Sequence, residues 1–293
     1  MTLLQLGLGD QLNKLWDYSN PIETEKKFTE LLLNTNFKDF EKSEIFTQIA
    51  RCQGLQKEFQ KAEETLCKTQ NLFTDSDEFN CAKVRFLLEK GRILRSSKLP
   101  KESLKYFLEA YETSLNFPEL SYFTVDALHM LGLAENETEK KVYWNLEAIK
   151  VAEGSSDVAT KNWLGSIYNN LGWIYHDEIK FEQALRYFQS AYLFFLDLIK
   201  VDVNEDAKLK SKLKIAKWTV GRCLRSLNKI DEALEIQLSL NDGTDGYVNE
   251  ELSYLYDLKG NIELRSVNAK MTLNCLTEED LGEERYKKIL SFT

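Results

Sequence analysis

The sequence predicts an all-α chain of antiparallel helix pairs, and three observations predict it. The 293 residues include only 3 Pro and 13 Gly, against 43% hydrophobic and 12% aromatic residues. So few breakers beside so much apolar surface argue against an all-β or a disordered chain. The stretch WLGSIYNNLGWIYHDEIKFEQALRYFQSA (163–191) reads as two short helices joined by a tight turn, with large and small apolar residues at fixed offsets. Finally, five stretches share a small residue near the point where two helices would cross and an apolar residue nine places on, just before a second helix.

In chain order, 10–18 and 21–35 form a first helical pair broken at Ser19-Asn20-Pro21. Ser19 or Asn20 can cap the second helix, and Pro21 suits its first turn. Phe28, Leu31 and Leu32 give that helix its apolar stripe, and residues 10–40 are read as an N-terminal cap. Repeats then run over 44–275. Phe46, Ile49 and Ala50 open one, with Phe59 at its turn and Ala62 and Leu66 on its second helix. Leu87, Gly91 and Leu94 open the next, followed by Pro100, Phe107 and Ala110. Val125, Leu128 and Gly132 lead to a second helix from Thr138 to about Val151; the crossing falls at position 129, with a register open by one residue. The stretch 163–191 is the fifth unit. Val220, Gly221, Leu224, Ile230 and Ala233 make a sixth, and Leu252, Ser253, Tyr256, Gly260 and Ile262 a weaker seventh, where Arg265 replaces the expected Ala. Long helices at 182–202 and 205–227 and the loops 153–157 and 241–246 make the spacing irregular. A last capping helix occupies 278–293, so that 1–293 reads as a single domain.

Within 163–191, Tyr168, Leu171, Gly172, Tyr175, Ala184, Phe188 and Ala191 match the offsets of W-x2-L-G-x2-Y…A-x3-F…A. That series resembles the tetratricopeptide repeat (TPR), which has a nominal period of 34 residues. The resemblance covers about 44–275 and is clearest at 87–112, 168–191 and 217–240. It implies a TPR-like α-solenoid, a right-handed superhelix of about six to seven irregular repeats. The phrases VRFLLEKGRILRSS, ALHMLGLAE and WLGSIYNNLGWIYHDEIKFEQAL are also similar to a group of small soluble TPR proteins without an assigned activity, over roughly 40–265.

Charge and cysteine usage narrow the function classes. A formal net charge of −9 and a pI near 5.1 argue against phosphate backbones and anionic membranes as partners. Cys52, Cys67, Cys81, Cys223 and Cys275 are scattered and odd in number, which suits neither structural zinc nor a secreted disulfide framework. Free thiols in a reducing compartment are expected, together with a cytoplasmic location. The N-terminal stretch 1–16 lacks the charged start and cleavage site of a leader. The glycosylation triplet at Asn136 is read as coincidence. No stretch approaches a membrane span, since 191–199 is short and carries Asp197.

The family resemblance also nominates a binding face, because first helices of successive repeats line a concave groove in TPR proteins. Carrying its groove offsets over residue by residue gives Gln48 and Arg51 in the second unit, and Arg85, Glu89, Arg92 and Arg95 in the third. The fifth supplies Ser166, Asn169, Asn170, Trp173, His176 and Asp177, and the sixth Trp218, Arg222 and Arg225. Arg forks suit carboxylates, and flat aromatics offer contact at low entropy cost. The expected function is a non-catalytic protein-interaction module or adaptor that takes an acidic segment or tail of another protein at Arg51, Arg92, Arg95, Asn169, Asn170, Trp173, His176, Trp218, Arg222 and Arg225. Against this stands local pairing: Glu89 lies one turn from Arg92 and within reach of Arg85. No cofactor, metal or catalytic residue is expected. The two histidines, His129 and His176, lack a third ligand or a nucleophile motif, and His176 and Asp177 diverge by about 100° on a helix. A peptide-responsive regulator is the alternative, ahead of RNA binding, which Glu250, Glu251 and Asp257 oppose, and ahead of an enzyme.

Overall fold

The computed structural model describes residues 8–202 and 206–293, without the side chains of residues 10 and 34. Residues 1–7 of the stretch weighed as a leader, and position 205 of the helix expected at 205–227, fall outside these bounds. The described residues form helices joined by turns and short loops, without a strand. The chain divides into two compact units, Met1–Trp163 and Leu164–Thr293.

In the first unit, α1 (Leu8–Leu15) and α2 (Pro21–Asn34) precede three hairpins: α3 (Asp39–Leu55) with α4 (Phe59–Gln70), α5 (Asn80–Ser96) with α6 (Pro100–Ser114), and α7 (Ser121–Ala134) with α8 (Thr138–Gly154). A single turn, α9 (Val158–Lys161), closes it. Asn20, rather than Ser19, caps α2 by accepting from the Glu23 amide, and Pro21 and Pro100 open their helices where an amide hydrogen has no intrahelical acceptor. The second unit holds α10 (Leu164–Asp177) with α11 (Phe181–Val201), α12 (Ala207–Ser226) with α13 (Ile230–Leu240), and α14 (Gly246–Leu258) with α15 (Ile262–Cys275). Two short helices, α16 (Glu278–Leu281) and α17 (Glu283–Leu290), follow. The expected final helix is thus split at Gly282, whose φ of 77° interrupts it.

One contact recurs at the crossings. A Cβ added to Gly91 or Gly172 would fall inside the ring of Phe107 or Phe188, sixteen residues later, and both rings are fully buried. A Cβ added to Gly221 would lie 2.6 Å from Nε2 of Gln237, at the same separation in sequence. The glycine permits the close approach of two backbones, and the buried group opposite fills the space that remains. In α10 the contact is doubled, because Gly165 receives the ring of Phe195. A second shared feature is a left-handed residue between the two helices: Lys57, Lys98, Ile179, Asn228 and Gly260 have φ between 58° and 70°. Each lies seven places past the small residue and ends its helix.

The α7–α8 hairpin departs from this pattern. Its connection, 135–137, has no left-handed residue, with Glu135 and Glu137 extended. The close approach moves one turn toward the connection, so that Gly132, not position 129, faces Asn145. This corrects the expected crossing. Trp163, which began the signature stretch in the sequence, packs instead within the first unit on Tyr122 and His129, at centroid distances of 5.7 and 5.2 Å. Arg265, the residue standing in place of an Ala, pairs with Asp257 at 2.9 Å and lies over the Phe292 ring.

Replacing Gly172 with Ala forces a methyl into the Phe188 ring and is expected to lower stability by about 1–3 kcal/mol. Ile179→Gly acts in the other direction. A β-branched residue in left-handed backbone costs about 1–2 kcal/mol, and Gly returns about half of that as lost chain entropy. The expected net gain is roughly 0.5–1 kcal/mol. Thermal melts of the two variants check both signs.

Candidate functional site

The residues nominated for binding lie mainly on α3, α5, α10 and α12, the first helices of their hairpins. Their charges are largely met inside the chain. In the first unit, Arg51 Nη1 donates to both oxygens of Glu89, at 3.2 and 3.3 Å. Arg92 donates to Glu89 through Nη1 and to both oxygens of Asp126 through Nη2, at 2.5 Å each. Glu89 is 5% exposed and Asp126 7%. Burial would raise the Asp126 carboxyl, but the guanidinium groups of Arg92 and Arg51 outweigh it and hold the carboxyl below its ordinary value. Burial likewise opposes the charge on Arg92, and Asp126 and Glu89 reverse that balance. Arg85 does not take Glu89; it pairs with Glu44 at 3.4 Å and stacks on Phe123, 4.5 Å from the ring centroid.

Arg51, Arg92 and Arg95 line a cavity of about 200 Å³ whose other walls include Leu55, Ile93 and Met130. Arg95 has no ion pair among the described residues. Three guanidinium groups against two carboxylates leave one positive charge over. Near this cavity, Tyr18 lies below the Arg51 guanidinium at 5.7 Å and stacks on Trp16.

The second unit repeats the arrangement with other partners. Arg222 Nη1 donates to Glu251 Oε1 at 3.1 Å; Arg225 donates to the same carboxylate through Nε at 2.7 Å and Nη2 at 3.0 Å. Arg285 of α17 holds Glu250 through Nε at 2.7 Å. Glu250 and Glu251 are fully buried, so the acidic surface inferred for the last repeat is instead a pair of internal counter-ions. Arg222 also lies over Trp173 and Trp218, at 5.6 and 5.3 Å, and Arg225 over Tyr254 at 4.8 Å. Trp173 packs edge-on against Phe188 and His176. Trp218 spends its indole N–H on the Tyr247 carbonyl at 3.1 Å. Asn169 and Asn170 are half-buried on α10, and the amide oxygen of Asn169 is buried without a hydrogen-bond partner among the described residues.

The two histidines are placed separately. His129 is largely buried against Trp163, and burial, reinforced by Arg92 and Arg95 against the pull of Asp126, keeps its imidazole below the ordinary value. His176 Nε2 is 2.9 Å from Ser226 Oγ, and burial followed by the Arg222 charge depresses it likewise. No cluster of His, Cys, Asp or Glu able to hold a metal occurs among the described residues. Burial pushes the free thiols of Cys52 and Cys223 up to about 12, and that of Cys81, which lies against Arg85 and Glu44, to about 11.

Sequence reasoning missed Glu251, Ile215 and Tyr247. The signal for Glu251 was available, since two adjacent acids interrupt the apolar face of Val248, Leu252 and Leu255 and so require partners.

Such a surface, carried by paired helices, defines a helical-repeat fold. A model of the tetratricopeptide repeat matches residues 165–193. The match covers α10 and the first part of α11, and the paired helices around it have the fold of a tetratricopeptide-like repeat. No curated protein matches the sequence. Among solved structures, the chain is similar to a signal-transduction ATPase with a tetratricopeptide repeat sensor from Pyrococcus horikoshii, with a TM-score of 0.70 and 18% identity over 99% of this chain and 45% of that one. It is similar also to pilF of Pseudomonas aeruginosa (TM-score 0.56, 11% identity, 87% of this chain and 100% of that one). NprR in complex with its cognate peptide NprX gives a TM-score of 0.50 at 16% identity, over 97% of this chain and 80% of that one. At these identities the likeness is one of fold. No helix among the described residues is long and apolar enough to cross a membrane.

Two predictions follow the buried charges. Glu251→Gln removes the counter-ion of two arginines, and the loss is expected to be about 3 kcal/mol in denaturant unfolding. Because His129 and His176 resist protonation when folded, the unfolded chain takes up protons first as the pH falls below about 6.5. Their contribution to stability is whole above that value and declines below it. The melting temperature is expected to fall between pH 7 and pH 5, and His129→Gln should flatten part of that decline.

Proposed function

We propose that this chain is a non-catalytic adaptor of the cytoplasm that binds an acidic segment of another protein. The observation that carries the reading is the charge balance at the cavity of the first unit. Glu89 and Asp126 answer two of the three arginines around it, and Arg95 is left to answer a ligand. One surplus charge suits a single carboxylate, which an arginine fork can hold by two hydrogen bonds. A phosphate dianion would leave the cavity with excess negative charge. At about 200 Å³ the space takes one acidic side chain or a chain terminus.

Arg51 and Arg92 then shape the cavity and fix Glu89, while Arg95 meets the ligand. In the second unit, Arg222 and Arg225 are spent on Glu251, and their part is to hold the faces of Trp173 and Trp218 in place. Asn169, Asn170 and His176 stand on α10 with Trp173 and supply polar groups from that helix. The likeness to NprR, a protein solved with a peptide, supports a peptide as ligand class. The unpaired cysteines support a reducing compartment.

Selection from a random peptide library over the immobilised protein tests the reading. Recovered sequences should be rich in Asp and Glu, and Arg95→Glu should lose the acidic sequences that carry no large apolar residue while keeping the wild-type melt. Neutral or basic sequences, or acidic ones without a large apolar residue recovered equally by the variant, would contradict it.

A further inference from the structure

Helix α12 carries seven cationic residues and no acidic one between Ala207 and Ser226, in a chain of net charge −9. Lys208 and Lys212, like Lys210 and Lys214, stand four residues apart, where like charges repel, and they crowd the helix N-terminus, where positive charge is unfavourable. Some of this charge is answered internally. Arg222 and Arg225 have Glu251, and Lys214 has Asp245 at 2.9 Å and Asp242 at 3.3 Å. Lys212 reaches across to the Phe195 ring of α11. Lys208 and Lys217 have no ion pair among the described residues.

Along this helix Ser211, Lys214, Ile215 and Trp218 are spaced to share one face, with Lys208 one turn before Ser211 and Lys217 on the flank beside Lys214. That face and the start of α14 enclose a second cavity, of about 440 Å³, with Ile215, Trp218, Tyr247 and Val248 as its apolar walls. Ile215 is 54% exposed and Tyr247 40%. The walls are held firmly. Trp218 is tied to the Tyr247 carbonyl, Asp245 caps α14 by accepting from the amides of Tyr247 and Val248, and Lys214 bridges α12 to that cap. With its N–H already used, the indole offers only apolar surface.

We propose that this face receives an acidic protein segment anchored by one large apolar side chain. A bulky aliphatic or aromatic group fills the space among Ile215, Trp218, Tyr247 and Val248, and carboxylates near it meet Lys208 at the end of this face and Lys217 on its flank. The unanswered lysines select an acidic partner, and the apolar walls select its anchor. A nucleic acid is the poorer fit: it carries a phosphate at every nucleotide and would have to pass Asp242 and Asp245 at the edge of the cavity, whereas a peptide places its charges only where lysines stand. The inference rests on the reading of the chain as an interaction module and gives the second unit its own ligand chemistry.

Fluorescence anisotropy with three labelled probes tests it: a twelve-residue peptide with Trp-Leu at its centre and Glu and Asp around it, the same peptide with Gly-Ser at its centre, and a single-stranded RNA 12-mer. The anchored peptide should bind the full chain at least tenfold more tightly than the Gly-Ser peptide and more tightly than the RNA. Ile215→Glu, at an exposed position, should weaken the anchored peptide at least tenfold. The double variant Lys208→Glu/Lys217→Glu should weaken it and reduce its dependence on salt, which keeps the test decisive should Ile215→Glu fail to fold. No binding of the anchored peptide, equal binding of the Gly-Ser peptide, tighter binding of the RNA, or indifference to both variants would overturn the inference. Loss of binding in Arg95→Glu but not in Ile215→Glu would place the peptide at the first unit's cavity, overturning this inference and leaving the proposed function intact. Failure of acidic enrichment in the library selection would instead remove the proposed function.

Discussion

The close approach of two helix backbones at a residue without a side chain is the constraint on which the rest depends. Gly91, Gly172 and Gly221 let a second helix come near enough for Phe107, Phe188 or Gln237 to fill the gap. Once that distance is set, the left-handed residue seven places later turns the chain back, and the first helix of each hairpin is fixed in rotation. Fixed rotation decides which side chains meet a neighbouring hairpin and which do not. The interaction surface is therefore a consequence of the packing: Ile215 stays available because Gly221 and the buried group opposite it occupy another face of α12.

Charge follows the same geometry. Arginines on one first helix reach acids on the first helix of the next hairpin, as Arg92 reaches Asp126 and Arg222 reaches Glu251. Buried pairs of this kind contribute little net stability, but removing one partner is costly, so they act chiefly to fix how neighbouring helices are aligned. They also set what remains for a ligand. A guanidinium already forked onto a buried carboxylate has few donors left, and recognition passes to cations that the packing leaves unanswered. In the first unit that is Arg95; on α12 it is Lys208 and Lys217.

The hairpins were legible because small and large apolar residues recur at offsets that only a paired-helix arrangement satisfies. Helix ends were read within a few residues wherever Pro, Asn or Gly marked them, as at Pro21 and Pro100. They were less legible at Lys57, Lys98 and Ile179, residues that carry no local preference for left-handed backbone and adopt it because the hairpin imposes it. The α7–α8 hairpin was misread by one turn for a related reason: its crossing depends on an extended connection that Glu135-Asn136-Glu137 does not announce. At the candidate site, side-chain types and helix faces were legible, but the pairing was not. Glu251 lies 29 and 26 residues beyond the arginines it neutralises, a separation that becomes meaningful only after the repeat geometry is known. The α12 cavity was half visible, since Trp218 was nominated from its offset, while Ile215 and Tyr247 gain their role from a neighbouring helix.

The central claim is that unanswered cations and the apolar faces beside them, rather than the internally paired arginines, meet the partner. The most direct measurement is the set of five indole N–H resonances in a proton–nitrogen correlation spectrum, followed while the anchored acidic peptide is added. The account predicts that the Trp218 signal moves progressively with peptide, while those of Trp16 and Trp144 hold still. A titration that shifts Trp16 or Trp144 and leaves Trp218 in place would contradict it.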